Sequence, residues 1–264
     1  MSLDPAVALQ LTTRLAALAT LVGCLELVAA RAALAPGGAF GLSSVLSMHW
    51  RGSRFLRLVG GRELALLMVG AASAAALLGL GPLHAAGMAS LVVTLLVRLA
   101  ISQRRIIGSD GAEQLVTITL IAALLGTFPQ PDATRISLAV GFIGAQLVLA
   151  YFTSGVAKLA SSSWRRGTAL AGILGTQTYG LRSASRLLAR IPRGSLLLGW
   201  GVMLFETVFV LSLFGPDWLL WAALACALLF HLSCAVIMGL NDFLLAFPAT
   251  FPCVLVLGQW FGAS

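Results

Sequence analysis

Charged side chains are scarce in this sequence. They make up 10% of its 264 residues, while 59% are hydrophobic. A soluble domain carries about 25% charged residues, so a water-soluble globular protein is excluded. Acidic groups are scarcer still, 9 against 17 Lys and Arg, which leaves a net charge of +8. Excess basic charge suggests nucleic acid only when it gathers into a patch. Here it is spread through loops between apolar runs, where its natural partners are anionic lipid headgroups. The few cysteines, Cys24, Cys226, Cys234 and Cys253, all lie inside apolar runs. None has C-x-x-C spacing or a neighbouring histidine, so they read as small core residues rather than metal ligands or disulfides. The sequence also offers no metal-binding cluster, P-loop, dinucleotide fingerprint or Ser-His-Asp constellation.

What the sequence has is long apolar runs separated by short connections. It reads as a single all-α transmembrane domain over residues 1–264, a bundle of about eight helices with amphipathic segments at the interface. Residues 1–33 imitate a signal peptide, but Asp4 and Glu26 argue for a retained first span. Further spans are expected over residues 64–80, 84–101, 135–157, 195–214, 218–239 and 243–261, with a tight turn at Gly81 and Pro82. The span from Leu115 to Phe128 covers only about 14 residues, short enough to be re-entrant. Residues 34–63, with Arg51, Arg54, Arg57 and Arg62, look like a segment lying on the headgroups. Arg182, Arg186, Arg190 and Arg193 recur at helical spacing and face away from Leu181, Leu187 and Ile191. That pattern predicts an amphipathic surface helix whose arginines meet anionic headgroups. No repeat or discontinuous helix is visible, which argues against an inverted-repeat transporter.

Basic residues also give an orientation. With eight spans, every Lys and Arg except Arg14 and Arg135 falls in or beside an odd-numbered loop. The positive-inside rule then makes those loops cytoplasmic, in a multi-pass protein of a bacterial-type cytoplasmic membrane. The same bias requires the short fourth span to cross.

Ionisable groups within spans are costly, and each needs a reason. Tyr151 to Gly167 is the stretch where a long apolar helix runs into Lys158, Trp164, Arg165 and Arg166. A lysine at the edge of the hydrocarbon can be a snorkelling anchor or it can carry chemistry. Lys158, Asp110 and Glu113 are expected on one face, where they would form a catalytic pocket with His231. Tyr151, Trp164, Glu206, Asn241 and Asp242 are the candidate binding residues. Against this stands interhelical polar pairing, which for His231 alone is the simpler account.

The spacing of Tyr151, Gly155, Lys158, Leu159, Trp164 and Gly167, followed by Glu206, Phe230, His231, Phe243 and Phe247, resembles the horizontally transferred transmembrane (HTTM) family. This is the membrane module related to vitamin K-dependent gamma-carboxylase. Gly108 to Gln114 is similar to the branch typified by the sporulation-delaying peptide maturation protein B of Bacillus. The resemblance implies chemistry on a reduced quinone of menaquinone type, with Lys158 as the base that deprotonates it and no metal. It also implies a part in maturing or exporting a secreted peptide, with that peptide and a partner maturation protein as binding partners. The histidine that the carboxylases carry before span four is not matched, since Asp110 to Gln114 stand there. Two other classes remain open: a non-enzymatic lipid- or toxin-binding membrane protein, and a proton-coupled transporter using Glu206 and His231.

Overall fold

The computed structural model describes residues 2–34, 61–102, 110–176 and 181–262, and every regular element among them is helical. The interfacial segment expected over 34–63 falls largely on residues outside this set. In chain order the elements are α1 (Pro5–Ala29), α2 (Arg31–Leu34), α3 (Glu63–Leu80), α4 (Ala85–Ser102), α5 (Gly111–Thr127), α6 (Ala133–Ala160), α7 (Ser162–Arg165), α8 (Ala169–Leu174) and α9 (Arg182–Arg190). Then follow α10 (Pro192–Val208), running into a 3₁₀ turn (Phe209–Phe214), α11 (Asp217–Met238), α12 (Asn241–Ala249) and α13 (Phe251–Phe261). Among the described residues, seven helical stretches are long and apolar enough to cross a membrane, and α5 is a shorter apolar helix beside them. The protein is an all-α polytopic membrane protein. Large apolar side chains such as Leu138, Leu197, Trp218 and Val236 point outward, as a lipid-facing surface requires.

The chain divides into two compact units, residues 3–143 and residues 144–264 with the first two residues. In the first unit, α1 starts on an Asp4 cap whose carboxylate accepts from the Ala6 and Val7 amides. It buries Ala8, Leu9, Thr12, Thr13, Ala16 and Ala17. Small residues allow close packing where lipid provides no hydrophobic drive between helices. Gly70 of α3 meets Cys24 and Val97 so closely that a Cβ would lie 2.8 Å from Val97. Cys24 is therefore buried packing material, while Cys226 of α11 faces outward.

The short helix α5 begins earlier than the hydropathy suggested, at Gly111 rather than Leu115, because Asp110 caps it by accepting from the Glu113 amide at 2.9 Å. It does not turn back on itself. At its start, Arg98 of α4 donates to the Glu113 carbonyl, to Thr117 and to Thr20 of α1. At its other end, Gly126 packs against Leu9 of α1 and Ala139 of α6. The helix thus runs antiparallel along α1 from the level of Thr20 to the level of Leu9. Arg98 also moves from the loop to the bundle: it is a half-buried interhelical clamp inside α4. Asp110→Ala should cost about 1 kcal/mol, the usual effect of losing a cap, read as a lower thermal midpoint in detergent.

In the second unit, the arginine stripe is shorter than expected. Helix α9 stops at Arg190 and the backbone turns at Ile191, with φ −124° and ψ 70°. Pro192 then opens α10, its fixed φ suiting the first helical turn. Arg193 therefore belongs to a membrane span and not to the surface helix. The last span is found as expected, one helical stretch over Asn241–Phe261, with a kink at the fully buried Thr250 between α12 and α13. Pro248 and Pro252 flank the kink, each lacking the N–H that a regular helix needs, while the Thr250 amide donates to the Phe247 carbonyl and its own carbonyl accepts from Val254.

Candidate functional site

The site in the second unit is built on one face of α6. Tyr151, Ser154 and Lys158 follow one another at spacings of three and four, which aligns them along that face. Lys158 is not a loop residue: it lies in the last turn of α6. Its Nζ donates to both carboxylate oxygens of Glu206, at 2.7 and 2.9 Å, and to Ser154 Oγ at 2.5 Å. Ser154 in turn donates to Glu206 at 3.4 Å. The Glu206 side chain is only 4% exposed and that of Lys158 19%, so this is a nearly enclosed ion pair. Glu206 would be a costly lone charge among apolar helices, and the ammonium offsets that cost.

A close crossing of helices makes the pair reachable. A Cβ on Gly155 would meet Thr207 Oγ1 at 2.4 Å and the Thr207 backbone nitrogen at 2.6 Å. Only glycine lets α6 and α10 approach this far, and the two residues in contact directly adjoin Ser154 and Glu206. On the far side, Trp164 is folded back over Lys158, with the ammonium 5.4 Å from its ring centroid. That fits a cation–π contact. Gly167, at φ +74°, makes the return: a Cβ there would meet Leu196 Cα at 2.7 Å, and its carbonyl accepts from the buried Ser195 hydroxyl at 2.5 Å. Gly155 and Gly167 are thus steric requirements for one constellation.

Two turns up α6, the Tyr151 hydroxyl and His231 Nε2 of α11 are 2.8 Å apart. Tyr151 is 2% and His231 1% exposed. Rings enclose them. Phe209 lies 4.7 Å and Phe205 5.9 Å from Tyr151, while Phe247 stacks on His231 at 4.2 Å. Phe205 and Phe209 flank Glu206 in sequence, so the aromatic box and the ion pair share α6 and the α10 end. His231 Nδ1 is enclosed without a hydrogen-bond partner among the described residues. Tyr151→Phe would leave the other nitrogen bare as well. Its expected cost is about 1–3 kcal/mol, the penalty for an unsatisfied buried polar group, measured by unfolding in mixed micelles.

The expected residues therefore divide. Lys158, Glu206 and Trp164 form one cluster, and Tyr151 with His231 forms a second on the same helix face. Asp110 and Glu113 lie in the first compact unit, where Asp110 is a helix cap and the Glu113 carbonyl serves Arg98. Asn241 and Asp242 open α12 and are not among the partners of Lys158 or of the Tyr151 hydroxyl. Reading the sequence missed Ser154, although its position four residues before Lys158 was a usable signal. It also missed Phe205 and Phe209, which only the pairing of α6 with α10 picks out. No group of three or more potential metal ligands occurs among the described residues.

No family model matches the chain, and neither a curated protein nor a solved structure matches it.

Proposed function

We propose that this protein is a membrane-embedded enzyme of HTTM type, in which Lys158 acts as a base on a reduced quinone and the product serves maturation or export of a secreted peptide. The observation that carries this reading is the Lys158–Ser154–Glu206 cluster beside a closed aromatic box. A lysine that only anchored the chain at an interface would need no enclosed carboxylate at 2.7 Å. The donor set suits a flat, uncharged ring: aromatic walls, a hydroxyl on Tyr151, and an enclosed His231 Nδ1 with no partner. A reduced quinone would supply an acidic phenolic hydroxyl.

The chain's own part is to hold and move a proton. An ammonium cannot accept one, so Lys158 must first release its proton. Glu206 Oε2 is at hydrogen-bond distance to take it, and the pair stays neutral overall before and after the transfer. A neutral pair suffers little from low dielectric, in contrast to a lone charge. The resulting amine can then take a proton from a hydroxyl placed against it. Basic loops on the cytoplasmic side of a bacterial-type membrane, and contact of Arg182, Arg186 and Arg190 with anionic headgroups, belong to the same proposal.

Lys158→Arg tests it. Arginine keeps the charge and can still pair with Glu206, but it stays protonated and cannot serve as a base. The phenotype conferred by the intact gene, compared at equal protein levels, should be abolished while membrane insertion is unchanged. A fully active Lys158→Arg protein would instead favour the non-enzymatic lipid- or toxin-binding reading. Mass spectrometry of co-purifying small molecules gives the ligand independently.

One observation favours a second reading. Glu206 and His231 are ionisable groups buried within membrane spans, as the proton-carrying groups of a proton-coupled transporter would be. In that case Lys158→Arg should retain partial transport, and uptake into proteoliposomes should collapse when the proton gradient is dissipated.

A further inference from the structure

The first compact unit contains a cation that no acidic side chain among the described residues neutralises. Arg14 lies on α1, the helix Pro5–Ala29, and its guanidinium reaches the tip of the α3–α4 hairpin. There Nη2 donates to the Gly79 carbonyl at 3.3 Å. Nε is enclosed against Gly81 and has no partner. Gly81 has φ +73°, and a Cβ at that position would lie 3.1 Å from Nε, so the turn is shaped to admit the guanidinium. All nine acidic residues of the sequence fall in the described segments, and Arg14 forms an ion pair with none of them.

Other basic groups of the bundle are treated differently. Arg98 is held by two threonine hydroxyls and a carbonyl. Arg135, at the same end of α1 as Leu9, pairs with Asp132 and donates to the Phe128 and Gln130 carbonyls. Arg14 has a single long bond. Its one compensation is the carbonyl end of α3, which carries about half an elementary negative charge. The remaining positive charge is half-buried beside apolar helices, a setting that favours an anionic partner.

Position also selects a ligand. A hairpin tip is where two spans leave the hydrocarbon. Helix α1 continues nine residues past Arg14 toward Pro5, about 14 Å at 1.5 Å per residue, so the tip lies below the end of α1. A guanidinium on such a step, with Nη2 holding only one long bond to the Gly79 carbonyl and Nη1 without a partner among the described residues, matches a phosphate oxygen pair, which arginine grips as a fork and lysine only as a point charge.

We propose that Arg14, with the Gly79–Gly81 turn, is a phosphate-binding site at the tip of the α3–α4 hairpin, and that its ligand is the phosphate of a lipid headgroup or a free phosphate of the same chemistry. Nothing in the Lys158 site bears on it.

The test uses the full chain purified in a neutral detergent and analysed by native mass spectrometry during titration with phosphatidylglycerol, and separately with inorganic phosphate. The unaltered protein should retain one phosphatidylglycerol more tightly than the rest. Arg14→Lys should weaken that one binding event by about tenfold, and Arg14→Gln should abolish it. Retention of inorganic phosphate in place of the lipid, lost in the same variants, assigns the site to the free anion and equally supports it. Should Arg14→Gln fail to fold, the Arg14→Lys titration decides, because it preserves the charge. Equal retention by Arg14→Lys and the unaltered protein, or no tightly held phosphate of either kind, overturns the site.

Discussion

Glu206→Ala should unfold far more readily than the unaltered protein, by about 3–5 kcal/mol, the range for removing one partner of a buried ion pair. The Glu206 side chain is 4% exposed and its partner Lys158 19%, so the ammonium left behind has little water to turn to. Ser154 and the face of Trp164 would then be its remaining contacts. The double replacement Lys158→Met with Glu206→Leu should recover most of the loss, because two apolar side chains of similar size remove both charges at once. Thermal midpoints of the three proteins in one detergent give the answer. Equal stability of Glu206→Ala and the unaltered protein would show that water or lipid already solvates the lysine. Activity should be lost in both variants, so stability and function part company in the double replacement alone.

Gly155→Ala carries the second large effect. The added methyl carbon would sit 2.4 Å from Thr207 Oγ1 and 2.6 Å from the Thr207 nitrogen. The hydroxyl could rotate, but the backbone nitrogen belongs to α10 and moves only with the helix. Overpacking of this kind costs about 1–3 kcal/mol, and here the geometric consequence is larger than the energetic one. Separating α6 from α10 by even half an ångström lengthens the Lys158–Glu206 contacts on the neighbouring residues. Activity should fall at least as far as in Lys158→Arg, although every polar group of the site is still present. Thr207→Ala, which removes the hydroxyl but not the backbone nitrogen, should not restore it. Full activity in Gly155→Ala would mean that the close crossing is not what positions the pair.

These expectations separate what the chain states outright from what its folding adds. The sequence by itself determined that this is a helical membrane protein, because 59% hydrophobic residues against 10% charged leave a helix as the way to satisfy the backbone inside lipid. It placed the spans within a few residues, since hydropathy is a local property. It also marked Lys158, Glu206 and His231, because ionisable groups in apolar runs stand out with no knowledge of the fold. Which of them meet was decided only in three dimensions. Lys158 and Glu206 are 48 positions apart and Tyr151 and His231 are 80 apart, and both pairings depend on how helices pack. The cap role of Asp110 also came from the fold, since a carboxylate before a helix is drawn to the nearest free amide, here that of Glu113. The kink at Thr250 was likewise added by folding: Pro248 and Pro252 on either side lack an N–H, and the last span bends there, close to where the ring of Phe247 stacks on His231.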